Sequence, residues 1–250
     1  MTVILTAGII TLFFTTVLTI AGVGAAFILI PVFMALGIDL HEAMAVALLL
    51  NAVAMMFASY RFYRKDLILW KVAVPILLVA AVFSPLGAYV SQGLDRDLLL
   101  WMFVAFLLFA AGMMLFYQSK PGSHQTSKAR QLAYGCGIGA FAGFLGGLLG
   151  VGGGNFIVPV LIWLGVEPKR SSATTSFIVI FSSLAGFFGH ASLGGISMPL
   201  LGVTAVGSAG GAVIGSWLMT DKLNQKQVKR LVGIALLIIA GKMLWNLLLR

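Results

Sequence analysis

Ten apolar runs set the pattern of the chain, at residues 3–20, 25–37, 43–60, 71–91, 98–117, 132–149, 155–165, 172–189, 197–219 and 231–249. The short stretches between them hold nearly all the charge. Runs near twenty residues suit a helix crossing the roughly 30 Å hydrocarbon layer, whereas the second and seventh are too short for a full crossing. Backbone polar groups cannot stay unpaired in lipid, so the pattern predicts an all-α, polytopic membrane protein whose interrupted stretches are walled in by protein. Composition agrees: 60% hydrophobic and 9% charged residues exclude a water-soluble globular domain. Sixteen basic against seven acidic residues leave a net charge of +9, but the basic residues cluster between apolar runs, which argues against nucleic acid as a partner. Residues 1–19 carry no Lys or Arg, so the first run reads as a retained span rather than a cleaved signal. Cys136, the single cysteine, lies in an apolar run and reads as a small core residue.

The two halves repeat. At an offset of 128, GVGAAFILIPVFMALGI from Gly22 aligns with GVGGGNFIVPVLIWLGV from Gly150, with seven identities in seventeen. The same offset pairs Gly87 with Gly215, and one residue of slippage brings LLFAAGMML from Leu107 onto LLIIAGKML from Leu236. Such duplications are frequent in transporter folds. The division expected is a first transmembrane repeat over 1–118, a basic cytoplasmic linker over 119–131 and a second repeat over 132–250. Basic residues decide the relative orientation. With inverted repeats, thirteen of them fall in cytoplasmic loops (four over 61–71, three over 120–130, Lys169, Arg170 and four over 222–230), leaving only Arg96 and Arg250 outside and Lys242 in the last span. A parallel arrangement gives no bias. The expectation is therefore two inverted repeats of about five helical segments each, with both termini outside and short, glycine-broken helices at the midplane.

The sharpest motif is GGLLGVGGGNFIVP over 146–159. Each glycine forfeits about 1 kcal/mol of helix propensity relative to Ala, so a continuous helix should open there. If Asn155 caps a new helix, Pro159 falls in the first turn, where its missing N–H goes unnoticed. Gly22, Gly24 and Pro31 repeat the spacing, with Ala25, Ala26 and Phe27 in place of two glycines and the cap. Gly22, Pro31, Gly150 and Pro159 are thus the candidate break and gating residues. A helix N-terminus presents free N–H groups and a positive dipole end, which suit an anion without any basic side chain. Two such ends brought together near the midplane could hold one anion between them. The competing account is that the glycines only allow close helix packing.

Ser171-Ser172-Ala173-Thr174-Thr175-Ser176 opens the helix after the second break, where its hydroxyls either bind an oxyanion or bond back to their own helix. Asn51 is the only strongly polar side chain of its span, serving as ligand group or interhelical glue. Ser182, Ser183 and Ser208 read as close-packing residues. All seven acids lie in loops or at span ends, which leaves no intramembrane carboxylate for a proton relay or a hard cation. No metal and no cofactor is expected. His190, followed by Gly194-Gly195, is the one histidine placed for proton coupling, the competing account being contact with headgroups. The absence of G-x-S-x-G, H-E-x-x-H and paired intramembrane aspartates speaks against an enzyme. A scaffold would call for a large exposed loop, and the longest, 118–131, is short and basic.

With its duplicated glycine motif, the downstream AMAVALLLN and SSATTSFIV segments, and the specific GGxxGVGGGxxxVP and ATTS elements, the chain resembles the TauE/SafE family of sulfite exporters over almost its full length. The resemblance implies transport of sulfite, sulfoacetate or related small organosulfur or carboxylate anions across the bacterial cytoplasmic (inner) membrane. The first half lacks the glycine pair at Ala25 and Ala26 and the hydroxyls at Val46 to Leu48, so the two halves are not expected to contribute equally. The substrate-binding set expected is Gly24, Ala25, Asn51, Gly152, Gly153, Gly154, Asn155, Thr174, Thr175 and Ser176. Transport is expected to run as export by alternating access, the alternative being a carrier or channel for another small anion or a neutral metabolite. The partners expected are a small anionic substrate, the lipid bilayer and, for self-association, a homodimer.

Overall fold

A computed structural model describes residues 2–22, 24–116, 128–164, 166–190 and 198–248. The described residues form ten helices: α1 (Thr2–Ala21), α2 (Ala26–Ala35), α3 (Leu40–Arg64), α4 (Trp70–Gln92), α5 (Arg96–Phe116), α6 (Lys128–Leu148), α7 (Gly154–Trp163), α8 (Pro168–His190), α9 (Met198–Asp221) and α10 (Gln225–Leu248). They match the ten apolar runs one for one. α3, α4, α8 and α9 are each long and apolar enough to cross a membrane. α2 and α7, ten residues apiece, reach about 15 Å, half of a bilayer core. Most of the linker expected over 119–131, and Gly194-Gly195 after His190, lie outside the described residues.

Local chemistry sets the ends of α3. Asp39 precedes it and its side chain accepts from the His41 N–H at 2.9 Å, while Glu42 stands in the first turn and Arg61 and Arg64 in the last. Each charge complements the helix dipole at its own end. The glycine stretches break the chain as the sequence predicts: α1 ends at Ala21 and α2 starts at Ala26, and α6 ends at Leu148 and α7 starts at Gly154. Gly24 (φ +78°) and Gly153 (φ +72°) hold left-handed backbone that a side chain would strain.

One detail of the expected helix starts is corrected. Asn155 is not the cap: Gly153 is, and Asn155 is the second residue of α7. Pro31 and Pro159 are the sixth residues of α2 and α7, not members of the first turn. The left-handed glycines start these helices, and the prolines further along withhold the N–H that the Phe27 and Asn155 carbonyls would otherwise accept.

The halves interlock by exchanging contacts. A methyl at Gly22 would meet the Ser172 backbone and Cβ at 2.5–2.6 Å, and one at Gly150 would meet Met44 Cβ at 2.5 Å; Ser172 and Met44 are themselves 128 apart. α1 packs on α9, and its counterpart α6 packs on α4, the counterpart of α9. Both are glycine zippers between parallel helices. Gly207, Gly211 and Gly215 sit against the carbonyls of Gly8, Leu12 and Thr16, and Gly139, Gly143 and Gly147 against those of Ile76, Ala80 and Ser84. Spacing of four residues puts each set on one helix face, and the missing side chains let backbones approach. α3 and α8 cross the centre, running antiparallel: His41 faces His190, Leu48 meets Gly186, and Asn51 bonds Ser183.

Gly143 and Gly137 of α6 give a matched test of the zippers. An added Cβ at Gly143 lies 2.6 Å from Ala80 backbone atoms, whereas at Gly137 it meets nothing within 4 Å. Gly143→Ala should lower stability by about 1–3 kcal/mol through overpacking, while Gly137→Ala should be neutral or mildly stabilising through helix propensity. Thermal unfolding in detergent checks both.

Candidate functional site

Both helix breaks arrive at one side chain. Asn51, fully buried half-way along α3, lies where a methyl at Gly24 would overlap its Oδ1 and one at Gly152 would come within 2.8 Å of its Nδ2. The two glycines are equivalent in the repeat, so the amide stands between corresponding points of the two breaks. Its Nδ2 donates to Ser183 Oγ at 3.0 Å, and its Oδ1 is buried with no hydrogen-bond partner among the described residues. The position in α8 that corresponds to Asn51 is Val179, whose Cγ1 a methyl at Gly152 would meet at 3.5 Å.

Neither broken helix is capped by a side chain. Ala25 precedes α2 and Gly153 precedes α7, both without a side-chain cap bond, and Ala25, Ala26 and residues 152–155 are all buried. The first N–H groups of a helix have no acceptor within it, and when buried and uncapped they present a standing demand for a partner. The carbonyls of the breaks fare better. Ser182 Oγ donates to Gly152 O at 3.0 Å, and Ser176 Oγ donates to Ser172 O at 2.9 Å with Gly22 O at 3.3 Å. Ser84 Oγ in turn donates to Ser182 O at 2.7 Å. Hydroxyls of α8 thus bond one carbonyl in each break, Gly22 O and Gly152 O, while the Gly154 and Phe156 N–H groups at the start of α7 turn back to the carbonyls of Gly152 and Gly153 and the Asn155 N–H has no bond among the described residues.

The expected substrate-binding residues divide into three groups. Gly24, Ala25, Gly152, Gly153 and Gly154 line the two breaks, with Asn51 between them. Asn155 and Thr175 are buried with Nδ2 and Oγ1 unbonded among the described residues. Thr174 and Ser176 are already engaged: Thr174 Oγ1 accepts the Leu69 N–H at 3.0 Å, tying α8 to the start of α4, and Ser176 bonds to carbonyls as above. Ser182 and Ser183, which sequence reasoning assigned to close packing, hold Gly152 and Asn51. Val179 and Ser183 are four residues apart and both approach Gly152, a relation that only the packing of the helices reveals. Ser208 Oγ donates to the Leu50 carbonyl at 2.9 Å, so it too bonds rather than only packs.

His190 is buried rather than set among headgroups, its Nε2 2.8 Å from the Gly147 carbonyl at the end of α6. The ring of His41 is 6.1 Å away, centroid to centroid. His41 was not singled out in the sequence, because only the antiparallel crossing of α3 and α8 brings the two rings together. Cys136 is a free thiol, half-buried on α6.

The family model of the sulfite exporter TauE/SafE matches residues 7–243. The chain belongs to the TauE/SafE family. It is 22% identical to the probable membrane transporter protein YunE of Bacillus subtilis, over 92% of this chain and 93% of that one. With the probable membrane transporter protein MJ0441 of Methanocaldococcus jannaschii the identity is 26%, over 89% and 86% of the two chains. Sulfite exporter TauE/SafE family protein 3 of Arabidopsis thaliana is 38% identical over 41% of this chain and 20% of its own length. No solved structure matches. TauE/SafE membership makes this a multi-pass membrane protein with a transporter's role, which places it in a lipid bilayer with a small molecule as substrate.

Gly24 and Asn51 permit a direct test of how tightly the first break is fitted. Gly24→Ala combines left-handed strain with the Asn51 overlap and should cost about 1–3 kcal/mol, part of which Asn51→Ala in the same chain recovers. A double-mutant cycle from thermal unfolding reads the coupling; strictly additive losses would mean that the two residues do not meet.

Proposed function

We propose that the protein exports a small organosulfur anion, sulfite or a sulfonate such as sulfoacetate, through a site formed where α2 and α7 begin. The observation that carries the reading is the arrival of two buried, uncapped helix N-termini at a single amide side chain. N–H donors and positive dipole ends attract an oxyanion, and the absence of a fixed cationic side chain keeps it from binding too tightly to leave. Asn155 Nδ2 and the Thr175 hydroxyl add two unbonded donors. The Asn51 carbonyl oxygen would repel an anion, but a half-turn of the amide presents its NH₂ group instead. Ser183 keeps its bond through that turn, because a hydroxyl donates as readily as it accepts. The names of the Arabidopsis relatives favour sulfite among small anions.

The halves act in this reading as inverted repeats, 1–118 and 132–250. Support comes from α3 and α8, which correspond in the repeat yet run antiparallel, and from the basic residues gathered on one side. With the second side outward, an inside-negative potential favours export of an anion by about 2.3 kcal/mol per charge per 100 mV. Alternating access then places the moving boundary across α3 and α8 rather than between the sequence halves, since the zippers tie α1 to α9 and α4 to α6. The bacterial inner membrane is the setting proposed, and a homodimer the assembly.

Proteoliposomes loaded with sulfite test the reading. Efflux should quicken with an inside-negative potential and be inhibited by external sulfite or sulfoacetate more than by acetate. Asn155→Leu and Thr175→Val should each weaken apparent affinity by about tenfold, the worth of one lost hydrogen bond to a charged ligand. Equal competition by acetate would transfer the site to carboxylates, and unchanged affinity in both variants would move it away from the breaks.

A further inference from the structure

Outside the transport site, one surface feature has a chemistry of its own. Between the ends of α3 and α9 a cleft of about 600 Å³ is lined by Phe57, Tyr60, Arg61, Arg64, Lys65 and Val213. Three cations there meet one carboxylate. Asp221 pairs with Arg61 and, at 3.4 Å, with Lys65, and Arg61 Nε also donates to Thr220 Oγ1 at 3.1 Å. Arg64 is exposed and has no ion pair or hydrogen bond among the described residues. The cleft therefore keeps an excess positive charge, with a guanidinium free to take a phosphate in its two-pronged fashion.

The walls say what kind of anion. Phe57 and Val213 are about half exposed, and Phe57 is one turn below Arg61 on the same face of α3. An apolar path thus runs from the basic rim along the outer surface of the bundle toward the centre of the span. The depth of the rim is marked by exposed aromatic rings: Tyr60 and Tyr63 on α3, Trp70 at the start of α4 and Trp217 on α9, the last with Lys222 Nζ 5.9 Å over its ring. Trp and Tyr collect at the headgroup level of a bilayer. A free anion needs no such wall, whereas a phospholipid brings a phosphate for the rim and acyl chains for the path. The feature is also one-sided. At the repeat offset, Arg61, Arg64 and Lys65 correspond to Gly189, Ser192 and Leu193, so the cleft is no part of the duplicated transport framework.

We propose that this cleft binds an anionic diacyl phospholipid, the phosphate held by Arg64 with Arg61 and Lys65 and the acyl chains lying along Phe57 and Val213. Native mass spectrometry of the delipidated full-length protein, offered equal phosphatidylglycerol and phosphatidylcholine, tests it. Wild type should retain phosphatidylglycerol preferentially, and Arg64→Gln should lose about tenfold of that affinity while its lipid-free melting temperature falls only slightly, since Arg64 makes no ion pair or hydrogen bond among the described residues and contributes only its share of the charge at the end of α3. Lys71→Gln, which removes an exposed charge at the neighbouring start of α4, should bind as wild type does. Glycerol 3-phosphate, a headgroup without chains, should fail to displace the lipid. Equal retention of the two lipids, undiminished binding by Arg64→Gln, an equal loss in Lys71→Gln or displacement by glycerol 3-phosphate would each overturn the proposal.

Discussion

A helix that starts inside a membrane protein leaves N–H groups that water cannot reach, and the architecture of this chain follows from providing for two such starts. α2 and α7 begin in buried backbone with no side-chain cap. In hydrocarbon each unsatisfied group costs several kcal/mol, so both starts must be walled by other helices and turned toward something that can accept. The walls are α3 and α8, which cross between the breaks, and the packing that holds them is achieved by removing side chains. Backbone carbonyls of α1 and α4 lie directly against glycines of α9 and α6. In lipid, where apolar contact between helices gains little over contact with acyl chains, such close approach is what association relies on.

The two breaks are alike in backbone but unlike in what surrounds them. α3 brings one amide, Asn51, whose counterpart is Val179; α8 brings Ser176, Ser182 and Ser183, whose counterparts are Leu48, Ala54 and Met55. The result is a division of labour between the corresponding helices: hydroxyls of α8 bond one carbonyl in each break, and the amide of α3 stands between Gly24 and Gly152. A symmetric site would offer an anion two identical faces. This one presents a glycine-and-alanine face from α2 and, from α7, a face that includes Asn155, so in the proposed site an oxyanion would take a preferred orientation.

Much of this was legible in residue types and spacing. The ten apolar runs became ten helices, and the glycines at 22–24 and 146–154 became breaks, because glycine composition and the length of apolar runs are local properties that tertiary contacts do not overturn. The helix starts were misplaced by a residue or two for a related reason. Asn followed by Pro is a sound capping signal, yet Gly153 in the left-handed conformation starts α7 before Asn155 can cap it. Ser182 and Ser183 were misjudged because a serine among small residues looks the same in sequence whether it packs or bonds. The role of Ser183 depends on the antiparallel register of α3 and α8, set by side chains more than 120 positions apart, and that of Ser182 on how α8 lies against the second break. The pairing of His41 with His190 was hidden for the same reason.

The zippers also constrain how any two conformations of the molecule can differ. Each joins a helix of one sequence half to a helix of the other, α1 to α9 and α6 to α4, with backbone against backbone. Separating the halves along the sequence boundary would strip both interfaces at once and expose glycine-lined grooves with carbonyls that nothing else covers. The α3 and α8 crossing is different in kind. It is held at its centre by a single amide-to-hydroxyl bond, both of whose partners can exchange donor and acceptor roles. Packed cores change by discrete rearrangement at their weakest contacts rather than by uniform deformation. In the alternating-access reading proposed above, the boundary between moving parts would run through Asn51 and Ser183, where both breaks approach the same amide.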